Sequence, residues 1–341
     1  MRVQYDEMLN VFRRILVLKG YDEERAYDSA KMFADTTLDG VYSHGYMRFK
    51  RILEYIDKGF IDVKSQAVKV AGMGAIERFD GRSGMGNLNA KLCMDRAIEL
   101  ANTHGVGVVA LFNTNHWLRG GTYGWQAADA GCVGICFTNT CPNMPAWGGI
   151  DSKIGNNPFV LSVPRKNKEH VVVDLAMAQF SYGKLETTRL EGKQLPFPGG
   201  FDKDGNLTRD PGAIEETTRV LPIGYWKGSG MSIALDLIGN VLAMGNTVTR
   251  IGKRDSLESG LTQTFIAINP NFINSDEDAR EEMINEVLND IKTSIPVTEG
   301  QTVYYPGESS LNRREENKKE GIPVNESIWN DIIKILEELE A

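Results

Sequence analysis

Cysteine and histidine are scarce in this sequence, with 4 of each among 341 residues. So few cysteines exclude a disulfide-built scaffold. The spacing of Cys132, Cys136 and Cys141 fits no metal-ligand motif, so we assign no metal. No apolar run reaches the roughly 18 residues that span a bilayer, and the first residues lack the apolar centre of a signal peptide. We therefore expect a cytoplasmic protein without a membrane partner.

Basic charge is also in short supply. Lys and Arg number 38 against 46 Asp and Glu, which gives a formal net charge of −8. Nucleic-acid binding needs a basic surface that neutralises phosphates, so we expect no nucleic-acid partner. Charged residues make up 25% of the chain and the hydrophobic set 41%, as in a folded globular protein.

Several common nucleotide-binding and hydrolase motifs are missing as well. The sequence contains no Walker A motif and no GxSxG nucleophile elbow. The segment 84–89 comes nearest to GxGxxG, but Asn89 replaces the third glycine, and the acidic residue expected after a second strand is missing. A dinucleotide, if one binds here, is therefore not held by a standard Rossmann fold.

Hydrophobic patterning predicts helices first and strands later. Up to about residue 60, apolar residues recur at helical spacing, and Asp22 stands where it can cap a helix. From about residue 67, alternating or continuous apolar runs predict strands, among them 106–112, 132–137 and 159–163. This mixture predicts an α+β (α/β-like) fold built around one mixed sheet.

The end of the chain predicts a return to the first helices. Residues 307–326 are highly charged and resemble a linker, and Asn325 is placed to cap a closing helix. We expect this helix to pack on the N-terminal helices. The predicted domains are a discontinuous helical domain, 1–66 with 307–341, and a mixed-sheet cofactor- and substrate-binding domain, 67–306.

His44 and Arg48 form the first candidate site. If His44 opens the third helix, the two side chains lie one turn apart on the same face. A 2-oxo acid needs such a pair, because arginine grips a carboxylate and histidine can protonate the neighbouring carbonyl oxygen. A histidine satisfied locally beside a solvated arginine would show the same spacing.

Polar residues that follow two predicted strands form the second candidate site. Asn115 and His116 come after the strand 106–112, where α/β proteins place their sites, and we expect them to bind substrate oxygens. A histidine that only fixes the loop is the alternative. Asp174 ends the run 171–173, where it could orient the catalytic imidazole of His44 or simply cap the next segment.

Trp226 and Lys227 precede a predicted helix over 231–244, in a glycine-rich turn. Backbone N–H groups at a helix start suit a phosphate, and Lys227 adds a positive charge. An ordinary turn from loop to helix is the alternative.

Together these residues resemble the malate/L-lactate dehydrogenase family of the non-Rossmann type. The likeness runs from the first helix to the closing helix. Besides Arg48, the matching motifs are YSHG (42–45), NHW (115–117), RGG (119–121), YGWQAA (123–128), NP (157–158), SYG (181–183), GGFD (199–202), GNLT (205–208) and GYWKGSGM (224–231).

The resemblance implies an NAD(P)H-dependent oxidoreductase that acts as a cytoplasmic homodimer. It implies reduction of a 2-oxo sugar acid, 2,3-diketo-L-gulonate above others, with NADH favoured over NADPH and His44 as the proton donor. It also implies three cofactor-binding segments. Their residues are His170, Val171, Val172, Val173, Asp174, Leu175, Ala176, Trp226, Lys227, Gly307, Glu308 and Ser309.

Other interpretations stay open at this point. The same fold could serve a dehydrogenase for malate, lactate, ureidoglycolate or sulfolactate. A sugar-acid lyase or isomerase that uses His44 as a base would need no dinucleotide and would explain the missing GxGxxG. A non-catalytic sugar-acid-binding protein would not need both histidines and Arg48, so the motifs favour the dehydrogenase.

Overall fold

The computed structural model of the protein describes residues 1–254 and 258–341. The helices are α1 Tyr5–Leu18, α2 Glu23–Leu38, α3 Tyr46–Asp57, α4 Gly86–His104, α5 Gly121–Asp129, α6 Tyr182–Leu190, α7 Pro211–Thr217, α8 Trp226–Ala243, α9 Val248–Ile251, α10 Glu277–Lys292, α11 Glu308–Glu320 and α12 Glu326–Glu340. Short 3₁₀ turns cover Tyr42–His44 and Pro270–Phe272. The strands are β1 Arg2–Val3, β2 Val68–Met73, β3 Ile76–Asp80, β4 Val106–Asn115, β5 Val133–Thr138, β6 Met144–Pro145, β7 Ser152–Ile154, β8 Phe159–Val163, β9 Val171–Leu175, β10 Gly200–Phe201, β11 Leu207–Thr208, β12 Ser259–Ile268 and β13 Ile322–Pro323.

Seven of the described strands form one mixed sheet, in the order β2-β3-β4-β12-β5-β8-β9. Strands β3 and β4 run parallel, and the other neighbours are antiparallel. A Rossmann sheet is mostly parallel and is built from βαβ units. The predicted α+β, non-Rossmann fold is therefore confirmed.

Helices cover both faces of the middle of this sheet. Phe265 of β12 faces α4 and α5, and its ring centroid lies 5.7 Å from that of Tyr123 in α5. The alternating side chains Thr262 and Thr264 face the opposite side, beneath Gly239 of α8. Among the described residues, no helix is long and apolar enough to cross a membrane.

The closing helix packs on the N-terminal helices, as predicted from its apolar spacing. Its first turn is capped by Asn325, whose Oδ1 accepts a hydrogen bond from Ile328 N at 3.2 Å. Trp329 is buried, and its ring centroid lies 6.1 Å from that of Phe12 in α1. The division into two domains at residues 66 and 307 stays a prediction.

The predicted linker over 307–326 is wrong, because α11 occupies most of it. This helix has almost no apolar face, so its sequence lacks the helical pattern that identified the others. Its anchors are polar instead. Arg314 Nε donates to Asp39 Oδ1 at 2.6 Å, and Asn317 Nδ2 donates to Leu38 O at 2.7 Å. Contacts with α2 and the residue after it therefore hold a helix that local sequence does not predict.

Candidate active site

Gly45 separates His44 from the third helix. A Cβ atom at residue 45 would lie 2.2 Å from Thr37 Oγ1, so this turn can approach α2 only with glycine. The same Oγ1 accepts a hydrogen bond from Tyr46 N at 3.0 Å, which fixes the start of α3. His44 therefore ends a 3₁₀ turn. The prediction that it shares a helix face with Arg48 required it to open α3, and it does not.

His44 lies against His116. Their ring centroids are 5.9 Å apart, and the ring planes are inclined by 27°. His116 follows directly after β4, where Gly86 lets α4 approach: a Cβ atom there would lie 2.2 Å from His116 O. Gly86 is the second glycine of the segment 84–89, which comes nearest to GxGxxG. It positions His116 beside His44 by close packing on the His116 backbone.

Each of the two rings has one nitrogen engaged and one open. Ser43 Oγ lies 3.0 Å from His44 Nδ1, and Leu118 N donates to His116 Nδ1 at 3.0 Å. Because His116 Nδ1 accepts, the neutral ring carries its proton on Nε2. Within residues 1–254 and 258–341, neither Nε2 atom has a hydrogen-bond partner. Both atoms are therefore available to a ligand.

Both histidines are neutral near pH 7 in the free protein. Burial, with the positive charges of Arg48 and Arg119, lowers the pKa of His44 to about 4. Burial also holds the pKa of His116 well below its ordinary value, and Arg48 adds to this effect. A proton donor at His44 must therefore gain its proton before or during the reaction.

Arg48 is paired with Glu258. Arg48 Nη2 donates to Glu258 Oε1, and the two side chains are only 16% and 17% exposed. Two further atoms, Arg48 Nε and Glu258 Oε2, are buried and lack a hydrogen-bond partner in the described part of the chain. Buried polar groups are normally paired, so this donor and this acceptor mark a place where a ligand belongs.

Glu258 is a further candidate site residue, and no motif in the sequence predicted it. It directly precedes β12, and because Ser259 pairs with Asn115 at the end of β4, Glu258 lies beside His116. His116 N donates to Glu258 O at 3.1 Å. The available sequence signal was an acidic residue at the start of a central strand, but its arginine partner is 210 positions away.

Asn115, the last residue of β4, directly precedes His116, and its amide NH₂ group is already engaged. Asn115 Nδ2 donates to Ser83 O at 2.8 Å and to Gly84 O at 2.9 Å. Its Oδ1 atom is buried and has no partner among the described residues. The side chain can therefore accept a hydrogen bond from a ligand, while its NH₂ group fixes the turn before α4.

Asp174 caps α5 in this structure. Its Oδ2 atom accepts a hydrogen bond from Gly121 N at 2.7 Å, at the first residue of that helix. The neighbour of His44 Nδ1 is Ser43, so the structure shows no contact through which Asp174 would orient His44. Asp174 therefore caps a helix that precedes it in the chain, not the next segment, and its role in orienting His44 stays a prediction.

The predicted cofactor segments 170–176 and 307–309 lie next to each other. Residues 170–176 include β9, the edge strand of the sheet. Val172 N donates to Pro306 O at 3.0 Å. Gly307 has a φ of +100°, and a Cβ atom there would lie 3.0 Å from His170 O. The turn before α11 therefore packs closely on the start of β9.

The third predicted segment joins the opposite end of β9. Ile223 N donates to Met177 O at 2.9 Å, which brings the turn before α8 to the residues that follow the strand. Trp226 and Lys227 then begin α8, five residues earlier than predicted. The N–H groups of residues 227–229 already donate to carbonyls of the same turn. A phosphate here would therefore meet mainly the Lys227 side chain.

His170 lies inside the predicted cofactor segment but is completely buried. The polar residues 166–169 that precede it are typical of a surface turn, but the turn does not expose His170. His170 Nδ1 accepts a hydrogen bond from Arg165 N at 2.8 Å, and Nε2 lies 3.1 Å from Asp129 Oδ1. Both ring nitrogens are engaged, so this side chain can hold the segment in place but has no free atom for a ligand.

The exposed side chains of these segments fit a dinucleotide by their chemistry. Asp174 has a second carboxylate oxygen, which suits ribose hydroxyls, and Lys227 provides a cation for phosphate. Trp226 exposes an aromatic ring, and Ser309 exposes a hydroxyl. Glu308 fits less well, because its carboxylate already pairs with Lys292 and accepts from Tyr305 N.

Comparison with known proteins identifies the class. The profile of the malate/L-lactate dehydrogenase family matches residues 3–333. The chain belongs to this family of oxidoreductases, whose dehydrogenases generally use nicotinamide cofactors.

Individual relatives extend this result. A 2,3-diketo-L-gulonate reductase of Escherichia coli O17:K52:H18 is 45% identical over 332 residues, which cover 97% of this chain and 99% of that protein. The sulfolactate dehydrogenase from Methanocaldococcus jannaschii is 30% identical, with a TM-score of 0.90 over 100% of this chain and 98% of that one. The malate dehydrogenase from Entamoeba histolytica shares the fold, with a TM-score of 0.95 at 24% identity over 100% and 98% of the two chains.

Proposed function

We propose that this protein reduces the C2 carbonyl of a 2-oxo sugar acid with NADH, and that it converts 2,3-diketo-L-gulonate to 3-dehydro-L-gulonate. The observation that carries the proposal is the stacked pair of His44 and His116 beside Arg48, whose Nε atom is buried and unpartnered in the described residues. The name of the Escherichia coli relative supports the choice of substrate.

Each side chain of the site has a role in this reaction. Arg48 Nε binds the substrate carboxylate, because a buried guanidinium donor needs an acceptor. His116 Nε2 donates to the carbonyl oxygen, and Asn115 Oδ1 accepts from a substrate hydroxyl. A reduced nicotinamide, when bound, would supply the hydride. His44 then delivers a proton to the oxygen on C2 as negative charge develops there.

The low pKa of His44 in the free protein is compatible with this role. Burial is its first cause, and the charges of Arg48 and Arg119 add to it. A substrate carboxylate on Arg48 offsets one of those charges, and the developing alkoxide attracts the proton further. Binding therefore makes the imidazolium form of His44 easier to reach.

The cofactor is proposed to lie along β9 and the two turns that meet it. Lys227 and Trp226 would contact its phosphate and ring groups, Asp174 its ribose hydroxyls, and Ser309 a further polar group. The backbone of residues 170–176 completes this surface. The support is that these predicted segments, distant in sequence, come together at one edge of the sheet.

The protein is further proposed to act as a homodimer in the cytoplasm, where free thiols such as its four cysteines persist. The support for the dimer is the outer face of α8, which exposes a row of apolar side chains where a monomer would expose polar ones. These are Met231, Ile233, Leu237, Ile238, Val241 and Met244, of which Val241 is 75% exposed. Val241→Glu should then give monomers in sedimentation velocity, and a wild-type monomer would contradict the proposal.

NADH oxidation by the purified protein tests the catalytic proposal directly. We expect 2,3-diketo-L-gulonate to give the highest kcat/KM when it is compared with pyruvate and oxaloacetate, and NADH to exceed NADPH. Equal rates with and without any 2-oxo acid would refute the proposed activity. A preference for oxaloacetate would keep the reaction and move the substrate to another member of the family.

Oxidation of a 2-hydroxy acid such as malate or sulfolactate is the second candidate. The observation that favours it is the neutral His44, which can accept a proton from a hydroxyl group without prior protonation. The sulfolactate dehydrogenase among the structural relatives is consistent with it. NAD⁺ reduction with sulfolactate, malate and lactate separates this candidate from the first.

A further inference from the structure

The unpartnered atoms of Arg48 and Glu258 require two different groups from a ligand. Arg48 Nε is a donor that needs an acceptor, whereas Glu258 Oε2 is an acceptor that needs a donor. Both atoms are buried, and their side chains are joined through Nη2 and Oε1. A ligand that satisfies both must present an acceptor and a hydrogen-bond donor next to each other.

The charges around this pair fit one anionic group. Arg48 and Glu258 neutralise each other, and Arg51 Nη1 lies 3.6 Å from Glu258 Oε1. The three side chains together carry one net positive charge, which matches one carboxylate. Tyr55 also lies close to this group, and burial together with the Glu258 carboxylate raises the pKa of its hydroxyl.

The unpartnered donor, the unpartnered acceptor and the single net positive charge distinguish between the 2-oxo acids that the family fold could accept. A hydroxylated monoacid supplies a carboxylate for Arg48 and a hydroxyl donor for Glu258. Oxaloacetate and the oxidised form of sulfolactate bring a second anionic group instead. That group would meet the Glu258 carboxylate in a buried place, where juxtaposed like charges are costly.

We propose that Glu258 is a specificity-determining residue: its carboxylate accepts a hydrogen bond from a substrate hydroxyl and excludes 2-oxo acids that carry a second negative group. This inference rests on the proposed function, because it needs a 2-oxo acid bound at Arg48. It assigns a role to a residue that the proposed chemistry leaves unused.

Three small 2-oxo acids test the two parts of the proposal. Pyruvate has neither a hydroxyl nor a second charge, hydroxypyruvate adds a hydroxyl, and oxaloacetate adds a carboxylate. With NADH, the wild type should use hydroxypyruvate with the highest kcat/KM and oxaloacetate with the lowest. In Glu258→Gln, the ratio of hydroxypyruvate to oxaloacetate should fall by about tenfold or more, because the repelling charge is gone.

Glu258→Asp separates charge from reach. The shorter carboxylate should still exclude oxaloacetate but lose the preference for hydroxypyruvate over pyruvate. The matched control is Glu281→Gln, because Glu281 is 16% exposed and pairs with Arg165 at 3.0 Å, away from the histidine pair. Its substrate ratios should equal those of the wild type.

The outcomes separate failure of this inference from failure of the proposed function. If the wild type reduces no 2-oxo acid with NADH, the proposed function fails and the inference fails with it. If the wild type is active and Glu258→Gln keeps the wild-type ratio, or lowers kcat/KM equally for all three acids, Glu258 does not set specificity. If Glu258→Gln does not fold, an unchanged preference for hydroxypyruvate over pyruvate in Glu258→Asp overturns the inference.

Discussion

Two histidine clusters in this protein differ in how completely their polar atoms are paired. At His170, a backbone N–H group and the Asp129 carboxylate engage both ring nitrogens. At His44 and His116, each ring has one engaged nitrogen, and the neighbouring Arg48 and Glu258 keep buried atoms without partners in the described chain.

This difference favours the His44 cluster over the His170 cluster as the proposed binding site. A folded chain pays for each buried polar group that lacks a hydrogen bond, so several together point to a ligand that completes them. Both nitrogens of the His170 ring are paired, which favours a structural role for this side chain, although it lies within a predicted cofactor segment. The His44 cluster keeps unpaired atoms among the described residues, which supports the proposed substrate site there.

His44→Ala should have the largest effect that follows from this comparison. Loss of the proton donor should lower kcat for reduction by about a thousandfold, the scale of general acid catalysis. NADH binding, measured by fluorescence titration, should stay close to that of the wild type because β9 is untouched. Near-normal turnover would remove His44 from the mechanism.

Arg48→Lys should have the next largest effect. Lysine keeps a positive charge beside Glu258 but lacks the Nε donor that is free for the substrate. Loss of one charged hydrogen bond, about 1.5–3 kcal/mol, should raise KM for the 2-oxo acid by roughly ten- to hundredfold. Steady-state kinetics should show a smaller change in kcat. An unchanged KM would mean that Arg48 serves only Glu258.

The pH dependence of reduction should report the protonation of His44 specifically. Since the pKa of His44 is lowered to about 4, the protonated form falls tenfold with each pH unit above that value. Between pH 6 and pH 8, kcat/KM for reduction should therefore fall by about a hundredfold, because this parameter reports the free protein. For oxidation, which needs neutral His44, it should stay flat. A flat profile for reduction would show that the proton comes from another group.

The sequence predicted those features of the fold and the candidate site whose signals lie within a short stretch of the chain. Asp22 and Asn325 cap helices as expected, since the capping residue and the helix it starts are neighbours in the chain. The strand 159–163 was predicted with its observed bounds, because four of its five residues are apolar. His44, Arg48 and His116 were also recognised from short motifs.

The remaining features depend on contacts between distant parts of the chain. Glu258 joins Arg48 only because β12 is inserted beside β4. The helix α11 depends on Asp39, which belongs to a distant turn. His170 is buried because it packs against Trp125, and the two ring centroids lie 5.6 Å apart. None of these contacts leaves a periodic pattern in the sequence.

His170→Ala should have the smallest effect on catalysis and tests whether the His170 ring has only a structural role. Removing a fully buried side chain with two engaged nitrogens should lower the free energy of unfolding by about 2–4 kcal/mol, seen as a lower Tm. His104→Ala, at the exposed end of α4, is the matched control and should leave Tm nearly unchanged. KM for NADH should stay near the wild-type value in both variants, because the ring of His170 has no free atom for a cofactor. If KM for NADH rose while Tm held, the completed hydrogen bonds of His170 would not mark a structural role, and unpaired buried atoms would no longer separate the two clusters.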